Sequence, residues 1–204
     1  MTEQTDKNTK LRILEAAIRL FAKKSYSATG LREIVKEAGV SVAMVNYHFG
    51  STPALLKAIL KHFFSRMHEI VLNNFTSSDP TELKVRHYFR AIINFFRESP
   101  ELVRVAMTEL PHDTPGIVEF KAEHVRQIVT IFGSSFLPSL PEPVRKNIKL
   151  EIVGPAIMGI LSSHFIIRPV IKNAFNIEFD DSFYENYADE LADLVLYGAF
   201  HVKD

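Results

Sequence analysis

Apolar residues recur with helical spacing over almost the whole chain. Leu11, Leu14, Ile18 and Phe21 fall at i, i+3, i+7 and i+10 along one helix face, and Ala17 and Leu20 widen the stripe. Lys23 and Lys24 stand where cations suit the C-terminal end of that helix. Leu31, Ile34, Val35 and Ala38 predict a short second helix, with Thr29 as its cap and Gly39 as its stop. Ser41 predicts the cap of a third helix carrying Met44, Val45 and Phe49. Gly50-Ser51-Thr52-Pro53 breaks the pattern, and Thr52 as N-cap with Pro53 at the first helical position restarts it as a long helix over about 53–74. Further stripes predict helices near 82–98, 101–110, 117–136, 144–167 and 182–199. Pro111 to Gly116 and the prolines at 138, 141 and 143 mark loops; Gly154-Pro155 predicts a kink or restart, and Arg168-Pro169 an end. No alternating strand pattern and no repeat is visible. The expected fold is therefore all-α with about nine helices.

Composition narrows the chemistry. There is no cysteine, which removes disulfides, zinc–thiolate sites, iron–sulfur clusters and cysteine nucleophiles. The N-terminal residues are polar and do not read as a secretory leader. No uninterrupted apolar run reaches the roughly 18 residues of a membrane span. Residues 157–167, the longest candidate, contain Ser162, Ser163 and His164. A cytoplasmic protein without membrane partners is the expectation. The formal net charge is zero, but residues 1–61 carry ten Lys/Arg against five acidic residues, and the remainder is acidic by the same margin. A basic N-terminal part on an acidic body fits an anionic partner for that part alone.

Residues 29–49 supply the shape such a partner would meet. Two short helices joined across a glycine turn form a helix-turn-helix pattern, with Gly39 in the turn and Ile34, Ala38, Val40 and Val45 as the buried contacts. The third helix then offers Ser41, Val42, Ala43, Met44, Asn46 and Tyr47, short or uncharged side chains that fit deep in a major groove. Asn46 suits adenine, and Val42 or Ala43 a thymine methyl. Thr29, Arg32, Tyr47, His48 and Lys57 are candidates for phosphate contacts, with Lys7, Lys10 and Lys24 adding charge.

Residues 9–64 resemble the DNA-binding domain of TetR/AcrR-type transcriptional regulators. The resemblance is carried by Leu20-Phe21-Ala22, Tyr26-Ser-Ala-Thr29, Ile34-Val-Lys-Glu-Ala-Gly-Val-Ser41 and Asn46-Tyr-His-Phe49-Gly50-Ser51. Two departures stand out: Thr52-Pro53 replaces the usual lysine-acid pair after the serine, and Val35 stands where alanine is usual. The resemblance implies a DNA-binding domain over 1–52 and a ligand-binding and dimerisation domain over 53–204. It also implies a homodimer that reads a palindromic double-stranded operator and is released, as a repressor, by a small-molecule effector. No metal and no cofactor is implied, and no enzymatic activity.

The body offers residues for both remaining roles. The stripes with Ile152, Ala156, Gly159 and Ile160, and with Tyr187, Leu191, Leu194 and Val195, suit a four-helix interface between copies. Phenylalanines interspersed with polar residues suit an apolar or aromatic ligand, with Phe95, Arg104, Met107, His124, Gln127, Phe132 and His164 as candidates. Two other readings compete. One is a helical lipid- or small-molecule-binding protein without a DNA function. The other is an enzyme using His112-Asp113, or a metal held by Glu119, Glu123 and His124, but no nucleophile motif or phosphate loop accompanies them.

Overall fold

The structure, a computed structural model, describes residues 3–198. Among the described residues there are ten α-helices and no strand. They are α1 (Glu3–Lys24), α2 (Leu31–Ala38), α3 (Val42–Phe49), α4 (Thr52–Phe75), α5 (Thr81–Glu98), α6 (Pro100–Arg104), α7 (Pro115–Ile131), α8 (Glu142–Asn147), α9 (Leu150–Phe175) and α10 (Asp181–Tyr197). π-helical turns extend α6 over Val105–Glu109 and α7 over Phe132–Phe136.

The helices group into two compact units. One contains the chain up to residue 65 together with 99–124, the other 66–98 together with the chain from 125 onward. The chain thus crosses the boundary inside α4, between α5 and α6, and inside α7.

In the first unit α1 packs against α2, α3, α6 and the π-turn that follows α6. The buried side of α1 is Ile13, Ala16, Ala17, Ile18 and Phe21; of the expected stripe Ala17, Ile18 and Phe21 are buried, Leu14 and Leu20 are half-buried and Leu11 is 52% exposed. Ala16 lies outside that stripe, because small side chains let a neighbouring helix approach closely without adding hydrophobic signal. Phe21 is fully buried, worth about 1.5–3 kcal/mol. Its ring meets Tyr26 edge-on at 5.4 Å and pins the loop after α1.

Two caps lie one residue from the expected ones. Gly30, not Thr29, caps α2: its N–H donates to Glu33 Oε2 (3.0 Å), while the Thr29 hydroxyl donates to the Ser25 carbonyl (2.7 Å). At the start of α4 it is the Ser51 hydroxyl that accepts from the Ala54 N–H (3.3 Å), so Thr52 is already helical. Pro53 then occupies the second helical position, where its missing N–H is again one of the donors a helix start leaves free.

In the second unit α5 packs against α9 and α10, and α9 against α10. Arginines on α5 meet aspartates on α10 in descending order: Arg86 with Asp193 (2.6 Å), Arg90 bidentately with Asp189 (3.1 and 2.8 Å), and Arg97 with Asp181. Steps of four and seven residues on α5 answer steps of four and eight on α10, which fits an antiparallel register. Arg90 with Asp189 is solvent-exposed and adds little stability. Asp193 is buried, so Arg86 with Asp193 is the pair whose rupture would be felt.

The eighth expected helix is two. Ile148 and Lys149 leave helical conformation, and α9 then runs unbroken through Gly154-Pro155. It also continues past Pro169 to Phe175. The expected end at Arg168-Pro169 appears as a kink, with non-helical dihedrals at Ile167 (φ −104°, ψ 15°) separating two helical segments, and the second segment ends at Asn176 in a left-handed conformation. α9 is long and apolar enough to cross a membrane by length and composition, yet only 17% of its most apolar stretch is buried within the protomer.

Candidate nucleic-acid interface

The helix-turn-helix is built by local chemistry. Gly39 closes α2 at φ +62°, a conformation costly for residues with a Cβ. The Arg12 guanidinium reaches over from α1 and donates to the carbonyls of Ala38 and Gly39 (the latter at 3.3 Å), satisfying acceptors that the helix end leaves open. Ser41 Oγ accepts from the Met44 N–H (3.3 Å) and starts α3. Val45 and Phe49 are buried and anchor α3 inward. Its other side is open: Ser41, Ala43 and Asn46 are exposed, Val42 is 41% and Tyr47 73% exposed, and Met44 is half-buried. Charge is absent from this outer surface, as readout by short, hydrogen-bonding and methyl-bearing side chains requires.

Around α3 the cations divide. Arg32 is exposed. Lys24 is bonded to Glu33, and Arg19 to Glu37 (3.3 Å), so part of the basic excess is used inside the unit. The Lys24 ammonium and the Gly30 N–H hold the Glu33 carboxyl below its ordinary pKa. Lys57 is half-buried, its Nζ 3.9 Å from where a Cβ of Gly116 would stand. Thr29 is half-buried and engaged with Ser25. The side chain of His48 is only 3% exposed, and its Nε2 lies 3.8 Å from Asp6 Oδ1. Arg12 is the functional neighbour that sequence reasoning counted only as charge. Its signal, a basic residue on the helix that precedes a glycine-closed helix, is too general to be read unaided.

The residues expected to meet a ligand are divided between the units. Arg104, Met107 and His124 belong to the first. There Arg104 is exposed and pairs with Glu109 (3.4 Å), the Met107 carbonyl meets His112 Nε2 (3.0 Å), and His124 stacks near Phe120 and Phe64. Phe95, Gln127, Phe132 and His164 belong to the second. Phe95 is buried under the Arg66 guanidinium (5.8 Å). Phe132 packs on Phe75 and Phe136, with Tyr88 on the other side of Phe75, and Gln127 is exposed. His164 is buried among Phe165, Phe179, Phe183 and Tyr187, with Nε2 3.2 Å from the Tyr184 hydroxyl. Burial and the nearby Arg168 push its pKa down to about 4. Of the residues read as a surface between copies, Ile152 is 62% exposed, Ala156 and Gly159 are exposed, and Ile160, Tyr187, Leu191, Leu194 and Val195 are half-buried. Among the described residues no three His, Asp or Glu side chains are grouped so as to hold a metal.

A short helix pair with a glycine turn, mounted on α1 with an open outer surface, defines a helix-turn-helix protein. Residues 13–59 match the family described as bacterial regulatory proteins, tetR family. The chain is 28% identical over 193 residues to the probable HTH-type transcriptional regulator YttP of Bacillus subtilis (strain 168), covering 90% of each chain. Its fold matches that of a TetR family transcription regulator from Marinobacter aquaeolei VT8 with a TM-score of 0.70, at 20% identity, over 94% of this chain and 97% of that one. It also matches the transcriptional regulator FadR from Bacillus subtilis, solved in complex with stearoyl-CoA, with a TM-score of 0.71 at 14% identity, over 92% and 98% of the two chains. Residues 13–59 thus form a tetR-family domain, and the chain as a whole is similar to HTH-type transcriptional regulators.

Proposed function

We propose that this regulator is a homodimeric repressor that places α3 of each protomer in successive major grooves of a palindromic operator and leaves it when a mostly apolar small molecule binds the body. The observation that carries the reading is the outer surface of α3: Val42, Ala43, Asn46 and Tyr47 project from a helix whose inner side is locked by Val45 and Phe49. Residues 1–52 act in DNA binding and 53–204 in ligand binding and dimerisation. The exposed apolar surface of α9, with the half-buried stripe of α10, supports self-association. Symmetric readers need half-sites about 34–36 Å apart. Release therefore requires a ligand that binds one spacing better than another. Packing of α6 and its π-turn against α1 supports a relay, because α6 follows α5 of the second unit after the single residue Ser99. The effector is read as apolar or aromatic from the phenylalanine-rich body; that FadR was solved with stearoyl-CoA agrees with an apolar ligand.

The test is selection of a duplex from a randomised library by the full chain, followed by titration. Asn46→Ala and Tyr47→Ala should each weaken binding by about 1–3 kcal/mol, roughly five- to 150-fold, with the helical circular dichroism spectrum unchanged. Ile152→Glu should turn a sedimenting dimer into a monomer and lose the palindromic duplex. Unchanged affinity in both α3 variants would exclude α3 as the reading surface, and failure to select any duplex would leave the reading as a small-molecule-binding protein without a DNA function.

A further inference from the structure

We infer that His48 and Asp6 form a proton-dependent brace that sets the seating of α3, so that duplex binding is accompanied by proton uptake; this rests on the DNA-binding reading above. His48 stands directly after Tyr47 on α3, its ring between those of Tyr47 (5.1 Å between centroids) and Phe49 (6.3 Å). Its side chain is almost fully enclosed, and among the described residues its Nε2 is the buried side-chain nitrogen or oxygen left without a hydrogen-bond partner. Native interiors rarely leave such an atom unsatisfied, and one that persists calls for a role. Asp6 Oδ1, on α1, is 3.8 Å away, too far for a hydrogen bond and close enough for an ion pair.

The surroundings leave Asp6 as the natural counter-charge. α3 packs against α1 and α2. On α1, Lys7 follows Asp6 in sequence, Lys10 holds its ammonium over the Phe49 ring at 5.8 Å, and Arg12 is committed to the carbonyls of Ala38 and Gly39. On α2, the carboxylates of Glu33 and Glu37 are bonded to Lys24 and Arg19, and Arg32 and Lys36 are exposed. A neutral imidazole therefore stays unsatisfied at Nε2, and a protonated one gains a carboxylate that the partly exposed Asp6 can bring into bonding distance by a small rotation.

Duplex phosphates supply the coupling. A helix laid in the groove brings His48 into their negative potential, which favours the charged imidazole. The complex then holds the proton more firmly than the free protein, and affinity rises as pH falls. One proton allows at most about a tenfold change per pH unit. His48 is enclosed and acts through the seating of Asn46 and Tyr47; it and Asp6 are positioning residues.

The experiment uses the full chain and a duplex it has selected from a randomised library. Anisotropy titrations at constant ionic strength between about pH 6 and pH 8 span the range in which histidine side chains change charge. Calorimetry in phosphate and in Tris, which differ in ionisation heat, counts the protons taken up. Affinity should rise severalfold toward acid with net proton uptake. Asp6→Asn and His48→Asn should flatten the profile and abolish that proton uptake, and Asp6→Glu should restore both. Asp6→Asn leaves the enclosed ring in place, so the test stands even if His48→Asn misfolds. A flat wild-type profile, or a wild-type slope in Asp6→Asn, overturns the inference while leaving DNA binding intact. Failure to select any duplex removes the DNA-binding reading, and this inference with it.

Discussion

Gly39→Ala tests the turn on which α3 is mounted. Gly39 sits at φ +62°, where a residue with a Cβ pays about 1–2 kcal/mol. The added methyl would also stand 2.9 Å from Arg12 Nη2, so the guanidinium has to withdraw from the carbonyls of Ala38 and Gly39. A charge-assisted hydrogen bond is worth about 1.5–3 kcal/mol, and roughly 1 kcal/mol of it survives at a partly exposed turn. The lower entropy of the unfolded alanine chain returns about 0.4–1 kcal/mol. The net cost is about 2 kcal/mol, or a melting temperature lower by roughly 4–8 °C for a chain of this size. Thermal and urea unfolding followed by circular dichroism measure it. A cycle with Arg12→Ala separates the causes: the double variant should lose about 1 kcal/mol less than the two single losses combined, because the methyl has nothing left to displace. Gly39→Asn, which tolerates this φ but keeps the steric conflict, should fall between glycine and alanine. A cost below about 0.5 kcal/mol for Gly39→Ala, or strict additivity with Arg12→Ala, would refute the reasoning.

Two further outcomes follow from the second unit. His164 has its pKa pushed down to about 4, below the ordinary 6.5, so the unfolded chain binds a proton at this position before the folded one does. Its contribution to stability is complete above pH 6.5 and is lost as pH falls toward 4; His164→Gln should remove that part of the acid dependence, and a wild-type His164 NMR titration near 6.5 would contradict it. Asp193→Ala takes its buried partner from the Arg86 guanidinium, which keeps Glu82 at 2.9 Å, and should cost about 2 kcal/mol in unfolding experiments, beyond Asp189→Ala on the exposed neighbouring pair. Equal losses in the two variants would show that burial does not distinguish the pairs.

What could be read in advance depended on how local its cause was. Gly39 and Ser41 act on their own backbone and mark the helix-turn-helix where the structure has it. The first cap lies at Gly30 and not Thr29 because Glu33 reaches the Gly30 N–H while the Ser25 carbonyl takes the Thr29 hydroxyl, partners that the two residues do not announce themselves. On α1 the stripe finds Ala17, Ile18 and Phe21 but not Ala16, which marks close packing while contributing little hydrophobic contrast. Pro155 is expected to kink or restart the helix and Pro169 to end it, and the irregular dihedrals appear beside only the second. The arginine–aspartate ladder between α5 and α10 depends on two segments about a hundred residues apart, and neither helix announces it alone. Arg104, Met107 and His124 fall in the first unit and Phe95 and Phe132 in the second, a division that composition does not carry.

The interleaved path of the chain has a practical cost for anyone who would exchange parts between relatives. α6 and its π-turn lie against α1, although some fifty residues of chain from α4 and α5 intervene after α3. A chimera joined just after α3 would give the grafted reading head a foreign helix on one side of its hydrophobic interior. A graft that keeps the native seam must transplant 99–124 along with the first 65 residues, as two inserts and not one.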